Sequence, residues 1–304
     1  MTGIKISISL TNQTWPDGPT GLRDNLIKVA EAADRAGIDT LWVPDHLLQA
    51  DPTVSADATD MLEAYTTLGF LAARTERVRL GAMVTGVTFR PPALLIKAVT
   101  SLDVLTGGRA WLGIGAGYHG EEADRMGLPL GPVAERFERL EETLELALQL
   151  WRDDQAPFEG RHYRLTAPVG HPLPLRRPHP PILIGGDGEK KTLRLVAKYA
   201  DACNLFDLPD GGTRLRHKLA VLARHCADLG RPYQEITKTL AMRLGPTETS
   251  AEFVQRVRAQ APLGIDHVGL VMSQAWTPEA IQVLAAAVPE LAEVEPNREP
   301  PNPA

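Results

Sequence analysis

Pro44-Asp45-His46 closes a short apolar stretch, Thr40-Leu-Trp-Val43, and sets a carboxylate beside an imidazole where a strand gives way to a loop. An imidazole titrates near neutral pH, so His46 in that position can give a proton to a bound ligand or take one from it, while Asp45 can orient the ring or cap the next segment. The same pair serves equally well as a hydrogen-bonded structural histidine and its neighbour. Two glycine clusters are the other stretches that carry chemistry. Gly115-Ala-Gly117-Tyr-His-Gly120 satisfies G-x-G-x-x-G, and Gly185-Gly-Asp-Gly188 stands just before the helix-forming run Glu189-Lys-Lys-Thr-Leu-Arg194. Bare amides ahead of a helix favour a phosphate, so Gly185 to Gly188 read as an anion cradle. Together the clusters suit an elongated, phosphate-bearing cofactor.

A dinucleotide turn follows the first strand of its domain and has an acidic residue about twenty positions on, at the end of the next strand. Here the motif follows the fourth strand, and the acids downstream, Glu138 and Glu141, fall in the middle of a helical stretch. Its place in the chain therefore argues against a Rossmann domain. Gly115 and Gly117 instead let backbone approach something flat or phosphorylated, with Tyr118 and His119 over it; a tight loop at a barrel corner explains them equally well. His119, His179 and His267 make no ligand pattern with His46, and Cys203 and Cys226 have no Cys or His at ligand spacing, so no metal site is expected.

The elements that must hold these residues alternate between short apolar strands and amphipathic helices. Strands are expected at Ile4 to Leu10, Thr40 to Val43, Val78 to Val84, Ala110 to Ile114, Ile182 to Ile184, Ala202 to Phe206, Glu235 to Leu244 and His267 to Val271. Helices are expected at about Leu22 to Ala36, Leu62 to Arg74, Ala93 to Leu105, Leu193 to Ala200, Leu215 to Leu229, Ala251 to Ala261 and Pro278 to Leu291. The rhythm is interrupted over about residues 118–180 by a helix from Val133 to Trp151, a short hairpin from Phe158 to Leu165 and a proline-dense stretch, Pro168 to Pro181. With the long helix serving the fourth strand, eight β-α units fit a (β/α)8 TIM barrel with an insertion after strand 4, and this α/β fold puts chemistry at the C-terminal ends of its strands. Residues 1–292 are expected to form one domain, followed by a disordered tail over residues 293–304 rich in Pro, Glu and Asn.

Bulk properties narrow the partner. A chain of 304 residues, 43% hydrophobic and with a net charge of −6, can bury a large core but has no basic run for nucleic acid or a membrane surface. No apolar run approaches the roughly twenty residues of a membrane span, so a cytoplasmic protein acting on a small molecule is expected.

Several stretches, taken in order, resemble the luciferase-like monooxygenase superfamily, specifically its branch of coenzyme F420-dependent oxidoreductases. They are Asp45-His46, the run from Thr75 to Arg90, the run from Leu105 to Gly117, Glu135-Arg-Phe-Glu-Arg-Leu-Glu-Glu142, and Pro180-Pro-Ile-Leu-Ile-Gly-Gly186 with Ala200-Asp-Ala202. The resemblance covers about Ile4 to Leu291 and implies a (β/α)8 barrel with an insertion and a homodimer. It implies that His46, with Asp45 as neighbour, exchanges a proton beside the deazaflavin ring during hydride transfer. It implies a non-prolyl cis peptide near Met83-Val84, which with Thr85 supports the back of the ring. Gly115, Ala116, Gly117 and Tyr118 would line the cofactor, Gly185, Gly186, Asp187 and Gly188 would hold its phosphate-bearing tail, and Asn12, Gln13, Tyr118 and Phe206 would face the substrate.

Two departures limit this carry-over. Tyr118 stands where the sugar-phosphate dehydrogenase branch has a carboxylate, and the loop Phe206-Asp-Leu-Pro-Asp-Gly211 is acidic where that branch has basic residues. Both argue against a phosphorylated sugar as substrate. Besides an F420 enzyme, the readings to weigh are an FMN-dependent monooxygenase on the same fold, a metal-dependent barrel hydrolase using Asp45, His46 and another rim histidine, and a barrel that binds a ligand without turnover.

Overall fold

Eight parallel staves close on one another, and the third is broken. In the computed structural model, which describes residues 3–301, the chain runs β1 (Lys5–Ser9), α1 (Gly18–Ala36), β2 (Thr40–Val43), α2 (Ala64–Ala72), β3 (Arg79–Ala82), β4 (Thr85–Gly86), α3 (Pro92–Leu105) and β5 (Leu112–Gly115). Then come α4 (Gly120–Met126), α5 (Val133–Trp151), the antiparallel pair β6 (Phe158–Glu159) and β7 (Arg164–Leu165), β8 (Ile182–Gly185), α6 (Thr192–Tyr199), β9 (Ala202–Phe206), α7 (Thr213–Leu229), β10 (Thr237–Arg243), α8 (Ser250–Arg258), β11 (His267–Val271) and α9 (Pro278–Ala292). The barrel sheet runs β3-β2-β1-β11-β10-β9-β8-β5-β4.

The two ends of that order are halves of one stave. β3 pairs with β2, and β4 pairs with β5 on the opposite side. At the lower end a parallel bridge from Leu80 to Ala110, with the Trp111 amide donating to the Leu80 carbonyl at 2.8 Å, closes the ring. The expected continuous strand from Val78 to Val84 is thus interrupted at Met83-Val84, whose peptide bond is cis.

Residues alternate between the barrel interior and the helical layer. Trp42, Trp111, Leu183 and Ala202 fill the interior, the two indoles 5.5 Å apart. Gly81 is glycine because a Cβ there would sit 2.7 Å from both the Trp42 ring and the Trp111 Cβ. Leu26, Val29 and Ala33 of α1 and Ile281, Leu284 and Leu291 of α9 belong to the outer core between strands and helices.

The disorder expected of the tail does not hold for its described residues. Residues 293–301 are described, and they lie against the lower end of the barrel: the Asn297 amide donates to the Ala261 carbonyl at 2.9 Å and Arg298 pairs with Asp266 at 2.9 Å. The last three residues of the expected disordered tail, 302–304, lie outside the described residues, as do the first two of the chain.

His267 opens β11 in register with Lys5 and Thr239 and is buried. Burial pushes its imidazole down to about 4 from the ordinary 6.5, against the pull of Asp39. Above pH 6.5 both folded and unfolded forms are neutral there; as pH falls toward 4 the unfolded chain takes up a proton that the folded one refuses, so stability falls. Asp39, depressed to about 2, acts only below its ordinary value of 3.8. Urea unfolding is expected to show about 3 kcal/mol lost at this residue between pH 6.5 and 4. His267→Gln should flatten that slope, and an unchanged slope in the variant would refute the assignment.

Candidate active site

The C-terminal ends of the staves surround one cavity of about 960 Å3. Its lining includes Asp45, His46, Met83, Val84, Gly115, Ala116, Gly117, Tyr118, Gly185, Gly186, Asp187, Gly188 and Phe206, residues drawn from five different strand ends. Three other residues from the sequence reading do not line it and are corrected. Thr85 is buried with its hydroxyl 2.9 Å from that of Tyr65. Asn12 is held by the Ser273 carbonyl and the Thr14 amide, and Gln13 by the Leu10 carbonyl and the Leu62 amide. These two amides tie loops together, while Thr11 lines the cavity in their place.

The floor is made where the third stave breaks. A Cβ on Gly113 would meet the Ala82 carbonyl oxygen at 1.9 Å, and one on Gly185 would meet the Val84 side chain at 2.8 Å. Gly115 has the same neighbour at 3.1 Å. Only glycine lets the Met83-Val84 segment lie this close to β5 and β8, and the result is an apolar ledge within the cavity.

His46 faces that cavity, and its ring is held from the other side. Its Nδ1 lies 2.8 Å from Oε2 of Glu122, a buried carboxylate whose Oε1 also accepts from the amides of Leu47 at 2.6 Å and Leu48 at 3.0 Å. Burial works to raise the Glu122 carboxyl, but its bonds to His46 and the two amides outweigh that and hold it below the ordinary carboxylate range. The Tyr118 hydroxyl is 3.4 Å from His46 Nε2. Asp45 takes neither role proposed for it from sequence. Both its oxygens accept from Arg90, which also bonds Glu63 and lies 4.7 Å over the Tyr65 ring.

Glu122, Arg90 and Arg136 are the residues that sequence reasoning missed. Glu122 sits on α4, whose start is capped by the His119 ring accepting the Glu122 amide and whose end is Gly127 in the left-handed region. Arg136 lies in the charge-rich α5, yet positions 136, 140, 143, 144 and 147 are all buried, which puts it on the apolar stripe. Its guanidinium donates to the Gly117 carbonyl, while its Nε, buried at the cavity wall, has no hydrogen-bond partner. A buried cation left partly unsatisfied at a cavity fits an anionic ligand group. Gly186, at φ +102°, and Gly188, where a Cβ would crowd the Thr192 hydroxyl at 2.8 Å, line the same cavity. These features fit a flat cofactor with a phosphate-bearing tail.

Among the described residues no group of three or more His, Cys, Asp or Glu side chains is placed to hold a metal ion. The hydrolase set of Asp45, His46 and another rim histidine is not assembled, because Arg90 holds Asp45 and Glu122 holds the inner nitrogen of His46. Also among the described residues, no helix is long and apolar enough to cross a membrane.

Comparison with known proteins agrees with this architecture. The luciferase-like monooxygenase family matches residues 4–294, and the chain belongs to that family. An F420-dependent glucose-6-phosphate dehydrogenase of Kineococcus radiotolerans is 31% identical over 249 residues, 79% of this chain and 69% of that one. A protein of the same description from Amycolatopsis mediterranei is 28% identical over 250 residues, 81% and 72% of the two chains. Among solved structures, an F420-dependent secondary alcohol dehydrogenase in complex with an F420-acetone adduct superimposes with a TM-score of 0.78 at 17% identity, over 96% of this chain and 99% of that one. The coenzyme F420-dependent tetrahydromethanopterin reductase from Methanopyrus kandleri gives 0.73 at 16% identity, over 95% and 99%. At these identities the structural likeness speaks for the fold.

The Asp45–Arg90 pair gives a direct test of how the His46 loop is anchored. Arg90→Leu strands a carboxylate that is 1% exposed and should cost about 3 kcal/mol in urea unfolding. Adding Asp45→Asn should recover most of that loss, whereas a single variant as stable as the parent would show that the pair anchors nothing.

Proposed function

We propose that this protein moves a hydride between coenzyme F420 and a small organic molecule, and that His46 exchanges the accompanying proton with the substrate. The observation that carries this reading is that His46 Nε2 and the Met83-Val84 ledge lie on one cavity whose wall also holds the partly unsatisfied Arg136. The F420-dependent relatives support the choice of cofactor.

When bound, F420 supplies a deazaflavin ring that accepts or gives a hydride, so the protein's own residues need only position, shield and manage a proton. Met83, Val84 and Gly115 would support one face of the ring and keep water from it. Gly185 to Gly188 and Arg136 would hold the phosphate-bearing part, backbone amides and a guanidinium both favouring an anion. His46 Nε2 takes a proton from the substrate atom as that substrate is oxidised, and returns it in the reverse direction. Asp45 acts through its pair with Arg90, fixing the start of the loop that carries His46.

The substrate side favours a molecule without a phosphate. Besides Arg136, two arginines line the cavity, but Arg243 is paired with Asp51 at 2.8 Å and Arg256 with Glu248 at 2.8 Å. Phe206, Leu208 and Met61 present apolar surface, and Asp207 adds a carboxyl that burial pushes upward. A dianionic sugar phosphate would have to displace those carboxylates.

Titration of the purified protein with F420 and with FMN, followed by fluorescence, tests the cofactor. Tight F420 binding is expected, and tight binding of FMN alone would replace this reading with that of a flavin monooxygenase. His46→Asn should leave F420 affinity within about twofold and lower kcat by roughly 100-fold or more; redox turnover unchanged in that variant would remove His46 from the mechanism.

A further inference from the structure

We propose that Glu122 is the positioning residue that decides which nitrogen of His46 carries the proton, fixing the hydrogen at Nδ1 and presenting Nε2 to the cavity as the basic nitrogen. This rests on the reading of His46 as the proton-exchanging group, and it assigns the state in which that group waits.

Three nitrogens surround the Glu122 carboxylate. Glu122 Oε1 is taken by two backbone amides, those of Leu47 and Leu48, and Oε2 faces only the imidazole. An ionised carboxylate has acceptors and no hydrogen to give, so a 2.8 Å contact with Nδ1 requires that Nδ1 be the donor. A neutral imidazole has one ring hydrogen, which leaves Nε2 with its lone pair directed into the cavity, where the Tyr118 hydroxyl lies 3.4 Å away as the adjacent donor. The other charged and titratable neighbours do not compete for the ring. Asp45, from the same loop, is occupied by Arg90, and His119 is turned to cap α4 through its own Nδ1, its ring 5.9 Å from that of His46.

The same contact makes Glu122 the counter-charge when Nε2 gains a proton. Among the described residues His46 is the one basic side chain within ion-pair distance of Glu122, and the carboxylate is 1% exposed. An imidazolium at His46 therefore meets a buried negative charge at 2.8 Å, while the neutral ring is held in the tautomer able to accept the next proton. The carboxylate's own backbone is fixed by the His119 cap on its amide, and the loop it follows is fixed by Arg136 on the Gly117 carbonyl.

Glu122→Gln separates this role from mere support of the loop. The glutamine carbonyl can still accept from the Leu47 and Leu48 amides, but its NH2 then faces Nδ1 and can only donate, so the ring must move its hydrogen to Nε2. Nitrogen-15 NMR of histidine-labelled full-length protein, with no cofactor added and His46 assigned by its loss in His46→Asn, reads the tautomer directly. The wild type and the charge-retaining Glu122→Asp should show hydrogen at Nδ1, and Glu122→Gln should show it at Nε2. In the F420-loaded enzyme, Glu122→Gln should lower kcat by roughly 100-fold or more while F420 affinity stays within about twofold. Hydrogen at Nε2 in the wild type, or at Nδ1 in Glu122→Gln, would overturn the proposal, and the wild-type measurement does so even if the glutamine variant fails to fold. A tautomer that switches as expected while turnover is unchanged would uphold the positioning by Glu122 and instead defeat the role given to His46.

Discussion

The upper half of the barrel depends on how closely the Met83-Val84 segment lies against its neighbouring strands. A stave that stayed straight would pair with β2 and β5 along its whole length and would leave the barrel filled by side chains to its rim. Here the lower half bonds to β2 and, through Leu80, to the residues just before β5, the upper half bonds to β5, and the break between them presses Val84 against Gly115 and Gly185 and the Ala82 carbonyl against Gly113. The glycines have one physical explanation: a Cβ at Gly113 or Gly185 would collide with the broken stave, and one at Gly115 would crowd it. The cavity of about 960 Å3 opens above that ledge, and the residues able to do chemistry are those whose strands end around it.

Charge is arranged around the cavity so that each buried ion has a designated partner except where a ligand would supply one. Asp45 is matched by Arg90, Asp51 by Arg243, and Glu248 by Arg256. Glu122 is matched by His46, whose Nδ1 lies 2.8 Å from its Oε2. Among the cavity's basic side chains, Arg136 differs in being a buried guanidinium with an unpartnered Nε. In a low-dielectric wall an incomplete hydrogen-bond set is costly, so its persistence at a ligand-sized cavity is physically informative. The His46 imidazole and the Arg136 guanidinium thus line the same cavity, a layout suited to an elongated cofactor and a substrate placed beside its reacting end.

Much of this was legible in the sequence because strand ends announce themselves. The alternation of short apolar runs with amphipathic helices fixed eight units, and the ends of those runs held His46, the Gly115 to Tyr118 stretch and the Gly185 to Gly188 stretch, all of which line the cavity. What periodicity could not supply was the partner of each polar group. Glu122 lies 76 positions from His46, on a helix of seven residues too short to show a periodic face. Arg90 reaches Asp45 across 45 positions. Arg136 shares the buried stripe of α5 with Leu140, Leu144 and Ala147, but in a charge-rich helix one arginine does not stand out from its neighbours in sequence. Asn12 and Gln13 failed for the opposite reason: polar side chains near a functional rim bonded the backbone of neighbouring loops instead of facing a ligand. The tail composition suggested disorder, yet two of its residues bond to the barrel end.

The central claim is that the broken third stave forms the seat of a deazaflavin ring with His46 presented beside it. A crystal structure of the F420-bound protein tests this most directly. The account predicts the ring resting on the Met83-Val84 peptide, its phosphate beside Arg136 and the Gly185 to Gly188 amides, and His46 Nε2 turned toward the open face where a substrate would sit. A ring bound away from that ledge, or one that leaves Arg136 without an anion and His46 turned away, would contradict it.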